Sequence, residues 1–189
     1  IIFEGGSLKT NSGNIELGSV GSGKVDFTFT PQNLEFSYNR VETFKDIQLL
    51  KDSSLQGNSL STIPNINNTA SIQVRGKQIY IQDGSIVLNS NQTNFASKGI
   101  EINAAEFLEI SGANTKESQL SSLRSQTLSA AKGGEIKVDT KKLVIKNGGS
   151  ISAYNFGSKF GSNIQIKASD SVDIIGASPL RIRPSVIVT

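Results

Sequence analysis

Two stretches decide the fold: SIQVRGKQIYIQDGSIV at residues 71–87 and EIKVDTKKLVIKNGGSI at residues 135–151. Laid over one another without a gap, at an offset of 64 positions, Ile72 meets Ile136 and Val74 meets Val138. Lys77 then falls on Lys141, Ile81 on Ile145 and Gly84 on Gly148. The same offset carries Asn91 to Asn155, Ile100 to Ile164, Ile102 to Ile166, Ala104 to Ala168, Ile110 to Ile174 and Gly112 to Gly176. Each unit divides again. Ile72 to Ile100 and Ile136 to Ile164 are both steps of 28, Ile100 to Ile136 is a step of 36, and a glycine follows each of these four isoleucines by 12. The clearest repeat is thus 72–112 matched by 136–176.

Working outward, apolar residues alternate with polar ones in short runs. Examples are Ile15-Glu16-Leu17, Val25 to Phe29, Leu34-Glu35-Phe36, Ile47-Gln48-Leu49, Ile79-Tyr80-Ile81 and Ile164-Gln165-Ile166. Period-two runs of three to five residues, separated by Gly, Asn and Asp, are the pattern of an all-β chain. Helical spacing occurs only at Leu120, Leu123 and Leu128, and its irregularity favours a loop with a short strand over Thr115 to Ala131. A β-sandwich has no reason to repeat at a fixed interval, because its strands occupy unlike places. In a β-solenoid each coil stacks about 4.8 Å from the last and like residues sit above like. The expected fold is a parallel β-helix with three short strands per coil. Inward Ile and Val form its ladders, glycines take corners that need φ > 0, and inward Asn or Thr bond to copies above and below. Residues Asn114 to Ser122 carry the excursion that lengthens the 36-residue step.

The N-terminal third keeps no such step. Coils can be drawn through Leu8, Ile15–Leu17, Val25–Phe29, Leu34–Phe36, Ile47–Leu49 and Leu55, and Gln56 to Thr69 reads as a loop or decorated turn. No shift of composition marks a second domain, so residues 1–189 read as one β-helix segment.

Composition narrows the chemistry. The chain of 189 residues has no Cys, His, Met or Trp and a formal charge of +3. That excludes Ser–His–Asp and Cys–His nucleophiles, thiol redox chemistry, disulfides and zinc sites built on nitrogen and sulfur. No run approaches the ~18 apolar residues of a membrane-spanning helix, and no basic-then-apolar leader opens the chain. Without an initiator methionine, Ile1 is expected to be an internal start within a longer solenoid. Scattered Lys and Arg at this small net charge read as a solvated surface, so no nucleic acid is expected as a partner.

Several phrases together resemble the filamentous-haemagglutinin type of surface protein exported by two-partner secretion, in its cyanobacterial branch. They are GGSLKTNSGNIELGSV (Gly5–Val20), FKDIQLLKDSSL (Phe44–Leu55), SIQVRGKQIYIQDGSIV (Ser71–Val87), GGEIKVDTKKLVIKNGGSISAYNFG (Gly133–Gly157) and SNIQIKASDSVDIIG (Ser162–Gly176). The resemblance implies a right-handed helix, passage of the unfolded chain through an outer-membrane translocation pore, and folding at the cell surface. It also implies roles in adhesion, matrix attachment or aggregation, and the partners expected are cell-surface or matrix glycans or proteins. The 64-residue repeat brings no convergent reactive groups with it, so no catalysis and no cofactor are expected. The family's secretion domain carries NPNG-type motifs that this sequence lacks, which implies a segment downstream of that domain, with the pore engaged by a region outside this chain.

Candidate contacts remain. Lys137, Lys141, Lys142 and Lys146 read either as a polyanion-binding stripe or as a solvated face that deters edge pairing, and Arg181 and Arg183 extend either reading. Tyr154, Phe156 and Phe160, in a Gly/Ser-rich stretch, either stack on sugar rings or pin a loop against the coil. Glu106 and Glu109 recur 64 positions later as Asp170 and Asp173. They are an acidic column of the kind a polysaccharide-cleaving β-helix would need, or simply outward positions. No calcium-binding nonapeptide repeat occurs, and no metal site is expected. Thr28 and Thr30 form a single Thr-x-Thr pair of the ice-binding kind with no ladder behind it. Asn67-Asn68-Thr69 and Asn91-Gln92-Thr93 match the glycosylation sequon. The expected function is a structural or adhesive fibre segment, the alternative a polysaccharide-binding or polysaccharide-cleaving β-helix.

Overall fold

The computed structural model describes residues 1–189 apart from 31–32, 61–68, 117, 158–160 and 180–181. The described secondary structure is all strand and turn. In chain order the strands are β1 (Ile2–Glu4), β2 (Ser7–Asn11), β3 (Asn14–Gly18), β4 (Val20–Thr30), β5 (Asn33–Phe44), β6 (Ile47–Leu50), β7 (Ser54–Ser59) and β8 (Ser71–Gln82). They continue as β9 (Ile86–Asn91), β10 (Gly99–Ser111), β11 (Ser122–Thr127), β12 (Glu135–Lys146), β13 (Ser150–Asn155), β14 (Asn163–Ile175) and β15 (Val186–Val188).

Two parallel sheets form the walls of a parallel β-helix of about four turns. One runs β1-β6-β8-β10-β12-β14, with β3 also pairing β8, and the other runs β15-β13-β11-β9-β7-β2. The register is the one the repeat demands: Ile72, Ile100, Ile136 and Ile164 stack in one column, and Val74, Ile102, Val138 and Ile166 in the next. The inward columns of both sheets close on a single apolar core. Burial of these β-branched side chains, with the strands' backbone groups paired in parallel ladders to the coils above and below, is what holds the coils together.

The three runs of each coil are present, with one refinement. The first two belong to one long strand broken at a corner, where register slips between Ala104 and Phe107 and between Thr140 and Lys142. The repeated glycines do what their spacing predicts: Gly84, Gly112, Gly148 and Gly176 all have positive φ, from 69° to 85°. At the equivalent corner after β6 the chain uses Lys51 and Asp52 in the left-handed region instead. Serines stitch these corners. Ser85 Oγ accepts from Ser53 N, Ser121 Oγ from Gly84 N and Ser185 Oγ from Gly148 N.

Three expectations are corrected. The inward Asn89 bonds to no copy of itself, because its column holds Gly57, Ser125 and Ala153. Its amide nitrogen donates instead to the carbonyls of Ala70 and Gly99. Asn91 and Asn155 each accept a backbone N–H two residues on, from Thr93 and Gly157, and so fold the loops that follow them. Gln56 to Ser59 are not loop but the end of β7; the rest of that stretch falls largely outside the described residues. Over Thr115 to Ala131 the structure has the short strand β11 preceded by an excursion closed by an Ala113–Leu120 bridge, as the irregular spacing implies.

The largest correction concerns Val25–Phe29 and Leu34–Phe36, which belong to no coil. They are the antiparallel pair β4–β5, a hairpin standing off the rod. It is inserted inside one coil: Gly18 pairs Arg75 on one side of it and Ile47 pairs Ile79 on the other. Lys45 N donates to Ser19 O at 2.7 Å, so the chain leaves and re-enters at one point. Pairing by register puts Phe27 opposite Phe36 and Phe29 opposite Leu34 on one face of the hairpin, with Thr28 opposite Glu35 on the other. Asp26 and Arg40 form an ion pair. Phe27 and Phe29, edge to face at 6.0 Å, remain 63% and 77% exposed.

Candidate functional site

The hairpin leaves the rod at the corner where successive coils place Gly76, Ala104 and Ala105, Thr140 and Lys141, and Ala168 and Ser169. Its root is fixed by a cluster on its first coil. Tyr38 lies over Gly18, where any added Cβ would come 2.5 Å from the phenol oxygen. The Arg75 guanidinium sits 5.1 Å from the Tyr38 ring centre and donates to Glu101 at 3.0 Å. Arg75 Nε faces Glu16 Oε1 at 3.9 Å, beyond hydrogen-bond reach. Burial pushes the Glu16 carboxyl above its ordinary range, partly offset by its hydrogen bond with Tyr38 and by Arg75. Burial, then the Glu16 hydrogen bond and charge, push the Tyr38 phenol up as well. The cluster ties the root of the hairpin to the wall.

Between the two lies a groove of about 910 Å³. Phe36, Tyr38 and Phe44 line its hairpin side, and the small residues Gly76, Ala104 and Ala168 line it at the corner. Its polar lining includes Arg75, Asn103, Asp139, Thr140, Lys141 and Lys167. Arg75, Asn103, Asp139 and Lys167 are register partners on successive coils, so the groove follows the axis of the rod. A smaller cavity of about 540 Å³ lies on the hairpin's other flank, with Glu16, Glu35, Lys98 and Glu101.

The residues singled out by sequence are placed as follows. Lys137, Lys141, Lys142 and Lys146 share one strand, β12, and do not line up along the axis. Lys137 pairs with Glu135 of its own strand at 3.1 Å, Lys142 with Asp173 at 3.2 Å and Lys146 with Glu109 at 3.0 Å. Only Lys141 of the four lines the groove. Glu109 and Asp173 do share a column, with Val144 between them. Glu109 is buried, yet its carboxyl is held below the ordinary range: burial raises it, and hydrogen bonds from Ser111, Lys146 and Gln82 with the Lys146 charge outweigh that. Glu106 faces Lys77 at 3.6 Å, and Asp170 accepts from Ser169. Among the described residues no three carboxylates gather closely enough to hold a metal ion. Tyr154 and Phe156 pack with ring centres 6.0 Å apart, Phe156 being 69% exposed. Arg183 belongs to the last corner, its N–H donating to Ser178 Oγ. Phe160 and Arg181 lie outside the described residues.

Sequence reading missed Phe36, Tyr38, Arg75 and Lys167. A signal for the first two existed. Val25-x-Phe27-x-Phe29 and Leu34-x-Phe36-x-Tyr38 are alternating runs split by a short Pro-containing stretch, which is a hairpin pattern. Nothing local reveals that it meets residues of four later coils.

Comparison of this chain with protein-family models, with curated proteins and with solved structures finds no match in any of the three.

Proposed function

We propose that this chain is a non-catalytic structural and adhesive segment of a surface rod of the filamentous-haemagglutinin kind, exported through an outer-membrane pore and displayed outside the cell. The observation that carries the reading is how the outer wall uses its charges. Lys77–Glu106, Arg75–Glu101, Lys142–Asp173, Lys146–Glu109 and Lys51–Glu4 each join neighbouring coils. Single exposed pairs are worth little, but a series of them along stacked coils favours a stiff, continuous rod. A rod with many weak contacts attaches through multivalency instead of one tight site.

The test is retention under flow. Beads coated with the chain are expected to stay on polysaccharide- or matrix-protein-coated surfaces at shear that removes albumin-coated beads. Equal loss of both kinds of bead on every surface would refute the adhesive role. A second reading, a polysaccharide-binding β-helix, is favoured by the groove beside the hairpin. Its cleaving variant predicts new reducing ends when purified chain is incubated with polysaccharide, and none are expected.

A further inference from the structure

We infer that the groove between the hairpin and the corner of the rod binds a short stretch of an acidic polysaccharide, one carrying carboxylate or sulfate groups on its sugar rings. The inference gives the adhesive reading a ligand class and rests on that reading for its biological role, not for the binding itself.

The charge pattern is the first argument. The seven-stranded sheet carries six lysines. Lys77, Lys137, Lys142 and Lys146 each have a carboxylate oxygen within 3.6 Å. The other two, Lys141 and Lys167, have no carboxylate within 4 Å among the described residues, and both line the groove. A wall that pairs its cations everywhere except along one concavity leaves that concavity attractive to anions.

The remaining lining says which anion. Phe36 and Tyr38 offer ring faces suited to the apolar face of a pyranose. Asn103, Thr140 and Ser169 can donate and accept, as sugar hydroxyls require. Asp139, between Asn103 and Lys167 in its column, decides against a phosphate backbone. A carboxylate there accepts from hydroxyl donors, which sugar rings carry and phosphodiester groups lack. With rungs about 4.8 Å apart, a groove spanning four coils is some 14 Å long, room for an extended oligosaccharide. At the hairpin root Tyr38 is fixed by Gly18, Glu16 and Arg75, while Phe36, 39% exposed, projects free.

The test is isothermal titration of the whole chain with a hexamer of galacturonic acid, a sulfated dextran fragment, neutral maltohexaose and a single-stranded DNA oligonucleotide of similar length. Binding of the galacturonate or the sulfated fragment, with maltohexaose at least about tenfold weaker, is expected, and which of the two binds tighter identifies the anionic group. Lys141→Gln with Lys167→Gln is expected to weaken that binding about tenfold, the sum of two modest ion pairs. Phe36→Ala should weaken it comparably. Lys142→Gln with Lys146→Gln, which remove the same charge outside the groove, should change it less than twofold. Thermal melts that overlay the parent's confirm that the variants fold. Absence of binding by both acidic probes, equal losses from the two lysine pairs, or DNA binding as tight as the best acidic probe would each overturn the inference. The probes are soluble and no surface is involved, so a failed bead assay leaves this result standing, and a failed titration leaves attachment by other faces standing.

Discussion

Ile110 and Ile174 allow the stacking account to be tested at constant chemistry. Both belong to the column Leu49, Ile81, Ile110, Ile145, Ile174. Ile110 is fully buried with a coil on each side, whereas Ile174 stands on β14, which pairs β12 alone, and is 47% exposed. Replacing a fully buried isoleucine by alanine removes its transfer energy and leaves a cavity, together about 2–5 kcal/mol; with rigid ladders above and below, about 3.5 is expected at Ile110. At Ile174 roughly half the transfer term is already lost to solvent and the vacated space opens to water, leaving about 1 kcal/mol. For a chain of this length 1 kcal/mol moves the melting temperature by about 2–4 °C. Ile110→Ala should therefore lower Tm by about 10 °C and Ile174→Ala by about 3 °C. Circular dichroism melts of the two variants beside the parent are the assay. Equal shifts would show that stability does not come from coil-on-coil burial and would refute the reasoning.

Other outcomes follow from the same structure. Gly148→Ala must hold a side chain at φ of +85° and bring its Cβ within 2.9 Å of Ser178 Cβ, while Gly176→Ala, at +69°, meets nothing within 4 Å. Strain alone is about 1–2 kcal/mol, so urea titrations should show both variants destabilised and the first more so. For Glu109, whose folded pKa is depressed, the stabilisation is present above its ordinary range and lost as pH falls through the folded value. For Glu16, whose pKa is raised, stabilisation is present below its ordinary range and lost as pH rises through the folded value. The stability difference between parent and Glu109→Gln should thus shrink on acidification from about pH 5, while that between parent and Glu16→Gln grows in the parent's favour; melts at stepped pH read both slopes, and slopes of one sign would contradict the assignment. Excision of residues 20–44, joining Ser19 to Lys45, should leave a cooperatively melting β-helix that no longer binds acidic oligosaccharide, because the coil closes through the existing Lys45–Ser19 contact. A molten or insoluble product would mean that the hairpin is part of the fold and not an insertion.

The repeat made the rod legible before any coordinates. A solenoid stacks like on like, so Ile72, Ile100, Ile136 and Ile164 must recur at the coil length, and the glycines twelve residues on must recur where the chain turns left-handed. The same logic explains what stayed hidden. Ile15 pairs with Ile72 at a separation of 57, and only when residues 20–44 are removed does this become 32, the step from Ile47 to Ile79. An insertion inside a coil erases the period without disturbing the stack, so the N-terminal third read as irregular. The groove was further out of reach. Phe36 and Tyr38 come from the insertion, while Arg75, Asp139, Lys141 and Lys167 come from three coils. Nothing in their spacing relates them, because hairpin and wall are brought together by tertiary contacts, those of Tyr38 with Gly18, Glu16 and Arg75 among them. Sequence alone determined the ladder, since local alternation and period are one-dimensional properties. Only the tertiary structure decided the site, since it depends on which carboxylates reach which lysines across coils and which two lysines are left over.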